Sequence, residues 1–268
     1  MRRTAVVAMV ALLGALAFPA IGTVAPAAAA ASATYKVVNA YTYGAGSNRT
    51  LTVCIDGTIV TTLDTTHSDG PFTHAVGAGT ITVFQGTVSD CSGEPDLSEP
   101  ITFPSGTSTI LLYLPSGNLG LSAAVLPDDT SCTAAGMGRL TFRNGAGNGS
   151  TGPSVDVWGV TPGGVDTKLL TDIAPGAQAS VDLAAGTYTD TRAVLTGTTT
   201  TLFDGSDLDI VAAQDAQLYV YGGADGTIGG FEETADLTTC SVATTTTEPP
   251  TTTTTAAQPV EAAPAFTG

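Results

Sequence analysis

The chain contains two copies of one strand-and-turn pattern, each about as long as a domain. Val37-Val38-Asn39-Ala40 matches Thr141-Phe142-Arg143-Asn144, and Ala78-Gly79-Thr80-Ile81-Thr82 matches Ala185-Gly186-Thr187-Tyr188-Thr189. Ser105-Gly106-Thr107 before Ile110-Leu111-Leu112 matches Asp204-Gly205-Ser206 before Ile210-Val211-Ala212. An offset of roughly 100 residues is the length of a whole domain and not of a solenoid repeat. We therefore predict two tandem domains, at residues 34–132 and 133–241.

Within each copy, short runs rich in valine, isoleucine, threonine and tyrosine alternate with glycine, proline, aspartate and asparagine. This alternation is typical of strands and turns, and residues 34–242 show no sustained helical period. The predicted strands are 35–40, 50–55, 58–63, 72–76, 80–85, 98–103, 109–114 and 119–126 in the first copy, and 139–143, 154–160, 167–170, 179–183, 187–195, 198–203, 208–213, 217–221 and 227–231 in the second.

Asp56-Gly57 lies between two of these strands and predicts a two-residue hairpin turn. About eight short strands per copy favour a two-sheet sandwich over a closed barrel. We therefore predict an all-β fold with two tandem immunoglobulin-like antiparallel β-sandwich domains.

Residues 1–33 have the features of a secretory signal peptide. Two arginines precede an uninterrupted apolar run at residues 5–18, and a stretch of small residues follows. This pattern predicts export and removal of the segment. Prolines and a glycine interrupt it before it reaches the roughly 20 apolar residues of a membrane span. Cleavage after Ala33 and cleavage after Ala31 both fit the small residues, so we expect a secreted protein with no membrane span in the mature chain.

Acidic residues outnumber basic ones by 24 to 8, which gives the chain a formal net charge of -16. Removal of the signal peptide takes away Arg2 and Arg3 and no acidic residue, so the charge moves from -16 to -18. A surface of this sign repels the phosphates of nucleic acids, so we expect no nucleic-acid partner. The acidity favours solubility over the capture of cations or basic partners.

Four cysteines in an exported chain predict two disulfides, because an oxidising compartment lets them form and persist. Three pairings are possible. Cys54 and Cys91 both lie inside the first copy, whereas Cys132 and Cys240 close the first and second copies at equivalent positions. We therefore predict the pairs Cys54–Cys91 and Cys132–Cys240. The cysteine spacing does not fit a zinc site, so we expect no metal.

Residues 242–268 differ in composition from the rest of the chain. Threonine runs flank Glu248-Pro249-Pro250, and such low complexity predicts an extended, disordered stalk. The final residues, Pro264-Ala265-Phe266-Thr267-Gly268, resemble the motif of actinobacterial sortase substrates, which are cleaved between threonine and glycine and joined to the cell wall. No hydrophobic span or basic tail follows Gly268, so the motif is either part of a sorting signal or a chance match. The expected location is secreted or cell-wall-associated.

Residue types for hydrolysis are present but poorly arranged. The only histidines, His67 and His74, both lie in the first copy. His67-Ser68-Asp69 contains the residue types of a serine triad, yet neighbours in one loop cannot converge on one substrate atom, and no Gly-x-Ser-x-Gly elbow occurs. We therefore expect neither an enzyme nor a cofactor.

A run of acidic residues in the second copy has oxygen ligands at the alternating spacing of a calcium loop. It is Asp204-Gly205-Ser206-Asp207-Leu208-Asp209, and its counterpart at residues 104–109 lacks every carboxylate. A turn between strands explains both copies, so we favour the turn over a metal site.

Two pairs of tyrosines are spaced to project from the same face of a strand. They are Tyr41 with Tyr43 and Tyr219 with Tyr221. Exposed pairs of this kind can stack on sugar rings, whereas buried pairs are ordinary core aromatics. We favour the core, and keep stacking on a polysaccharide as the alternative.

Four motifs together resemble one family. They are Val37-Val38-Asn39-Ala40, the hairpin Val53-Cys54-Ile55-Asp56-Gly57, the turn Ala185-Gly186-Thr187-Tyr188-Thr189, and the late strand from Gly205 to Ala212. They are similar to those of the exported, mostly actinobacterial domain of unknown function catalogued as family 4397, whose members often occur in tandem. The resemblance covers residues 35–126 and 139–236. It implies export and an all-β fold, and supplies no catalytic residues.

These observations lead to two functional hypotheses. The first is a secreted or wall-associated, non-enzymatic surface protein that has a structural or adhesive role. The alternative is a binding module for cell-envelope or environmental polysaccharide, which would use the tyrosine pairs.

Overall fold

A computed structural model of the chain describes residues 31–42, 49–115, 120–147, 154–223 and 228–240. Within these ranges the chain forms eighteen β-strands and no helix. The predicted stalk at residues 242–268 lies outside the described residues, as does the predicted signal peptide except for its last three positions. No helix in the described part of the chain is long and apolar enough to cross a membrane.

The first domain contains nine strands. They are β1 (Ser32–Asn39), β2 (Tyr41–Thr42), β3 (Leu51–Ile55), β4 (Thr58–Leu63), β5 (Ser68–Ala75), β6 (Gly77–Gln85), β7 (Leu97–Phe103), β8 (Gly106–Tyr113) and β9 (Ser122–Pro127). The second domain also contains nine. They are β10 (Met137–Gly145), β11 (Val155–Val160), β12 (Asp166–Ile173), β13 (Gln178–Ala184), β14 (Gly186–Leu195), β15 (Thr201–Asp204), β16 (Leu208–Ile210), β17 (Gln214–Gly223) and β18 (Ile228–Asp236).

Each domain is a sandwich of two sheets, and the strand order is the same in both. The first domain has the orders β5-β1-β8-β9 and β4-β3-β6-β7, and the second has β13-β10-β17-β18 and β12-β11-β14-β15, with β16 added beside β14. The prediction of an all-β chain with two tandem β-sandwich domains is confirmed. The sheets are not purely antiparallel, however, because β1 runs parallel to β8 and β10 runs parallel to β17.

Each sandwich has its own hydrophobic core. Alternate residues of the paired strands point between the two sheets, as the period of a strand requires. The first core includes Tyr35, Leu51, Ile81, Phe103, Ile110 and Leu112. The second includes Leu140, Phe142, Val155, Val157, Ile210 and Leu218. The predicted hairpin turn is also present, since Asp56 and Gly57 both have positive φ, at 49° and 76°, as a two-residue turn of this type needs.

One buried asparagine in each domain shows how the two copies align. Asn39 accepts a hydrogen bond from the amide of Tyr41, and Asn144 accepts one from the amide of Ala146, at 3.1 and 3.0 Å. The side-chain amide of Asn39 also donates to the carbonyl of the last residue of β4, and the side-chain amide of Asn144 donates to the carbonyl of the last residue of β12. Asn39 therefore corresponds to Asn144, and the predicted match of Ala40 with Asn144 is wrong by one residue.

A second correction concerns the late strand of each copy. The sequence comparison had matched β8 with residues 204–212, but those residues form the end of β15 and the short β16, which both pair with β14. The true counterpart of β8 is β17, because each runs parallel to the first long strand of its domain. A glycine before an apolar run is common in β-proteins, so this pattern could not distinguish the two strands.

Both predicted disulfides are present. Cys54–Cys91 closes 37 residues inside the first domain, and Cys132–Cys240 closes 108 residues with its Cα atoms 5.0 Å apart. Cys132 precedes β10 and Cys240 follows β18, so the second bond joins the two ends of the second domain. In the loop-entropy model these closures contribute at most about 4 and 5 kcal/mol to stability.

The start of β1 distinguishes the two possible sites of signal-peptide cleavage. Ala33 is fully buried and pairs with both His74 and Gly106 in the interior of its sheet. Cleavage after Ala33 would remove two residues from this strand, whereas cleavage after Ala31 leaves it complete. We expect N-terminal sequencing of the exported protein to begin at Ser32. A mature protein that begins at Thr34 would contradict this expectation.

Candidate functional site at the interface between the two domains

The two sandwiches pack against each other through sheet β5-β1-β8-β9 of the first domain and sheet β13-β10-β17-β18 of the second. A separate hydrophobic cluster lies between these sheets, and we call it the interdomain core. It consists of Val38, Ala40, Leu111, Leu126 and Tyr219, with Tyr113, Ala124, Tyr221 and Phe231 packed around them. The continuous apolar run Ile110-Leu111-Leu112 follows from this arrangement, because β8 is buried on both faces.

Equivalent surfaces of the two domains meet at this interface. Since Asn39 corresponds to Asn144, the next residues, Ala40 and Gly145, also correspond. A Cβ atom added at Gly145 would lie 2.6 Å from the Cβ of Ala40, so the two equivalent positions touch and no side chain fits at Gly145. The short strand β2 also crosses to the second domain and pairs with β17. The contact thus has the form of an isologous interface within one chain.

A fully buried arginine joins the domains. The guanidinium of Arg143 donates to the side-chain oxygens of Gln178 at 3.0 Å, Gln217 at 3.0 Å and Tyr219 at 2.8 Å within the second domain. It also donates to Asp128 of the first domain at 2.6 Å, as an ion pair. Arginine suits this position because its planar group offers five N–H donors and stays charged.

Lys36 supplies the second ion pair across the interface. Its ammonium group donates to Gln217 at 2.6 Å and to Glu233 at 2.7 Å, and Ser68 also donates to Glu233. Burial alone would lower the pKa of Lys36, but the neighbouring Tyr219 and Glu233 outweigh it and raise that pKa above its ordinary value. Lys36 therefore stays charged at any physiological pH.

Asp215 adjoins this network and is 3% exposed. One of its carboxylate oxygens accepts a hydrogen bond from Gln217 at 2.9 Å, and the other accepts none from the described residues. Burial raises the pKa of Asp215 despite its hydrogen bonds and the nearby arginines. Asp215 thus adds a poorly compensated charge beside the two ion pairs.

A cleft of about 300 Å3 opens beside the network, and both domains line it. Its polar lining includes Thr34, Lys36, Asp69, Thr107, Asp128 and Gln217. It therefore offers both donors and acceptors to a small polar molecule. Within the described ranges no group of three or more histidine, cysteine, aspartate or glutamate side chains is placed to hold a metal ion.

The described tyrosines of the two pairs lie in buried or half-buried positions. Tyr219 is fully buried and stacks on Phe231 with ring centroids 4.8 Å apart, and Tyr41 is 6% exposed in the first core. Tyr221 is half-buried against the same phenylalanine, and Tyr43 lies outside the described residues. Tyr219 and Tyr221 do share one strand face, but the other domain covers that face.

The two histidines occupy separate places in the first domain. His74 bonds Asp56 at 2.8 Å and stacks on Phe103 with ring centroids 4.0 Å apart. Its bond to Asp56 raises the pKa of His74 above its ordinary value. His67 bonds the carbonyl of Thr65 at 3.0 Å. His74 therefore braces strands of the first sandwich.

The acidic run considered for calcium forms a link between two short strands. Asp204 ends β15, and Leu208 begins β16 with its side chain buried. Asp209 accepts a hydrogen bond from Thr187 on the paired strand, at 2.7 Å. Because β15 and β16 both run antiparallel to β14, the chain does not reverse direction here, and residues 205–207 form an irregular link and not the turn that we favoured.

Sequence reasoning did not identify the cluster around Trp158, on the outer sheet of the second domain. The indole lies between the ammonium of Lys168 and the guanidinium of Arg192, at 5.3 and 5.8 Å from the ring centroid. These residues occupy the strands on either side of β11. A cavity of about 220 Å3 adjoins the cluster, lined by Asp166 and threonine hydroxyls. No local pattern brings these residues together, because they come from three strands.

The comparisons with known proteins give little further information. No family model matches the chain, and no curated protein matches it. The TIE protein of Bacillus anthracis is similar over 74% of this chain and 34% of its own length, with 10% identity and a TM-score of 0.25. A leucine-rich repeat protein from Bacteroides thetaiotaomicron VPI-5482 is similar over 70% of this chain and 25% of its own, with 14% identity and a TM-score of 0.20. The chain thus spans well under two thirds of either structure, and likenesses this weak carry no argument.

Removal of the buried guanidinium tests the interface. In Arg143→Ala the carboxylate of Asp128 loses its ion pair, and Gln178, Gln217 and Tyr219 lose a donor. Breaking a buried pair typically costs about 3–5 kcal/mol, and we expect a loss of this size in the free energy of unfolding measured by denaturant titration.

The matched control is Arg192→Ala, which makes the same change on the outer sheet of the same domain. Its partners, Asp166 and Asp190, have side chains that are 50% and 57% exposed, so we expect a loss of about 1 kcal/mol or less. Equal losses in the two variants would contradict the central place of Arg143.

The buried carboxylate of Asp156 gives a pH-dependent prediction. Burial would raise its pKa, but hydrogen bonds from Lys168 at 2.6 Å, from the amide of Asp172 and from two threonines lower it to about 2. The folded-state pKa lies below the unfolded one, so the stabilisation is complete above the ordinary value of 3.8 and disappears as the pH falls toward 2.

We therefore expect Asp156→Asn to cost about 2 kcal/mol of unfolding free energy at pH 7, and progressively less below pH ~4. Denaturant titrations at several pH values measure this. Asp190→Asn, at a side chain that is 57% exposed, is the control, and its effect should be small at every pH. A cost for Asp156→Asn that is independent of pH would contradict the assigned charge.

Proposed function

We propose that this protein is an exported, non-enzymatic surface protein that acts as one rigid body of two β-sandwiches, in a structural or adhesive role. It is secreted or associated with the cell wall. The observation that carries the proposal is the interdomain interface, where Arg143 is fully buried and paired with Asp128 of the other domain. A flexible pair of domains has no need to bury an ion pair between them.

Several features support export. The N-terminal segment has the composition of a signal peptide, and the described residues hold two disulfides and no free cysteine. Disulfides persist in oxidising compartments and are rare in the cytosol of mesophiles. The acidic surface agrees with a soluble body that does not bind nucleic acids.

The rigid body presents two outer sheets to its surroundings. Sheets β5-β1-β8-β9 and β13-β10-β17-β18 cover each other, so sheets β4-β3-β6-β7 and β12-β11-β14-β15 form the outside of a four-layered stack. Interfaces that combine apolar packing with paired charges hold their partners in one orientation. Contacts with other surface components would therefore come from the outer sheets and the loops at their ends.

Cell fractionation tests this proposal. The chain, expressed in a bacterial host that exports it, should be recovered from the medium or the envelope, with both disulfides formed. Arg143→Ala is the informative variant, because it is exported with the same signal but should be cleaved more readily by protease between the domains. Recovery of the wild type only from the cytosol would contradict the proposal.

The second candidate, a polysaccharide-binding module, is favoured by the Trp158 cluster and not by the tyrosines. Indole rings beside hydroxyl and charged groups can stack on sugars, and the adjoining cavity of about 220 Å3 carries such groups. A glycan array probed with wild type, Trp158→Ala and Trp158→Phe distinguishes the candidates. Selective binding that Trp158→Ala removes and Trp158→Phe retains would favour the second candidate, whereas no selective binding by the wild type would favour the first.

A further inference from the structure

The chain enters and leaves the second domain at one point. Cys132 and Cys240 are bonded, with their Cα atoms 5.0 Å apart and 108 positions apart in the sequence. Next to the bond, Thr133 and Thr239 form a parallel bridge. The amide of Thr133 donates to Thr238 at 3.0 Å, and the amide of Cys240 donates to Thr133 at 2.8 Å. The disulfide therefore lies across the base of the whole domain.

This position determines how the chain transmits a pulling force. The first domain precedes Cys132, and residues 241–268 follow Cys240. A force applied between the first domain and the C-terminal segment passes from Cys240 through the sulfur atoms to Cys132. The residues between them are in a closed loop, so the backbone of β10 to β18 is not in series with the load.

We propose that the Cys132–Cys240 bond is a covalent bypass that carries tension past the second domain and keeps that domain folded under load. The inference rests on the wall-associated form of the proposed function, and adds to it that residues 241–268 link the body to its point of attachment. It adds that the protein is built to work under tension, with the second domain as the element that does not extend.

The first domain is constructed differently. Its disulfide, Cys54–Cys91, lies inside the fold and leaves the ends of the domain, at β1 and β9, unconnected. A load on the first domain is therefore resisted by hydrogen bonds between strands. The two domains have the same strand order, so the difference in their mechanical behaviour comes from the placement of one covalent bond.

The bypass also protects the interface. The linker after β9 is held to the second domain by Arg143, which pairs with Asp128, and by Arg139, which donates to the carbonyls of Asp129 at 2.7 Å and Ser131 at 3.3 Å. These arginines lie on β10 and keep their positions only while the second domain is folded. A second domain that stays folded continues to brace the last strand of the first domain.

Single-molecule pulling on residues 32–240 tests the proposal, with one handle before Ser32 and the other after Cys240. In the oxidised protein we expect length gains from the first domain alone. In the double variant Cys132→Ser/Cys240→Ser we expect a further gain of about 390 Å, at roughly 3.6 Å per residue for the 108 positions. This further gain from the oxidised wild type would overturn the proposal.

Two controls accompany this test, and the second needs no cysteine replacement. Cys54→Ser/Cys91→Ser removes the other disulfide, and should lengthen only the extension of the first domain, by about 130 Å for its 37 positions. A handle inserted after Gly163, in the exposed turn between β11 and β12, places the load inside the closed loop. With that handle the second domain should unfold even when oxidised, and failure to do so would show that its resistance does not come from the bypass.

The pulling result and the proposed function can fail separately. Pulling uses purified protein and does not depend on where the cell places it, whereas fractionation does not depend on mechanical behaviour. If the purified, oxidised protein shows the bypass but fractionation finds the wild type only in the cytosol, the mechanical inference stands and the proposed function is wrong.

Discussion

The buried guanidinium of Arg143 is the interaction on which the two-domain arrangement depends. It is removed from water entirely, and the loss of hydration is offset only because side chains from both domains accept its hydrogen bonds. Asp128 reaches it only when the first domain is docked, and the ring of Tyr219 lies against it at 5.1 Å. The same contact therefore orients the domains, buries the tyrosine and places Asp128 in the lining of the cleft between them.

Local patterns were sufficient for most of the fold. Strand β4 was predicted with its observed bounds, and the Asp56-Gly57 turn before it follows from backbone preferences of those two residues. Both disulfides followed from the placement of cysteines in the repeat. The two-residue strand β2 was missed, because its partner β17 belongs to the other domain and no sequence period records such a contact.

The candidate site was less predictable, because its residues act through tertiary contacts. The spacing of Tyr219 and Tyr221 correctly indicated a shared face, but not that a second sandwich covers it. The segment Leu140-Thr141-Phe142-Arg143 contained a clue, because a charged residue occurs within a predicted strand. Such a charge is either at an exposed edge or paired in the interior, and the sequence alone does not indicate which. Trp158 gave no clue to its two cationic neighbours.

The two contacting faces are equivalent in position but differ in chemistry. Val38 pairs with Leu111 in the first copy, whereas the corresponding positions in the second hold Arg143 and Tyr219. A second-copy face that met the same face of another molecule would leave Arg143 without Asp128, which only the first copy supplies, so this face fits the first copy and not another of its own kind.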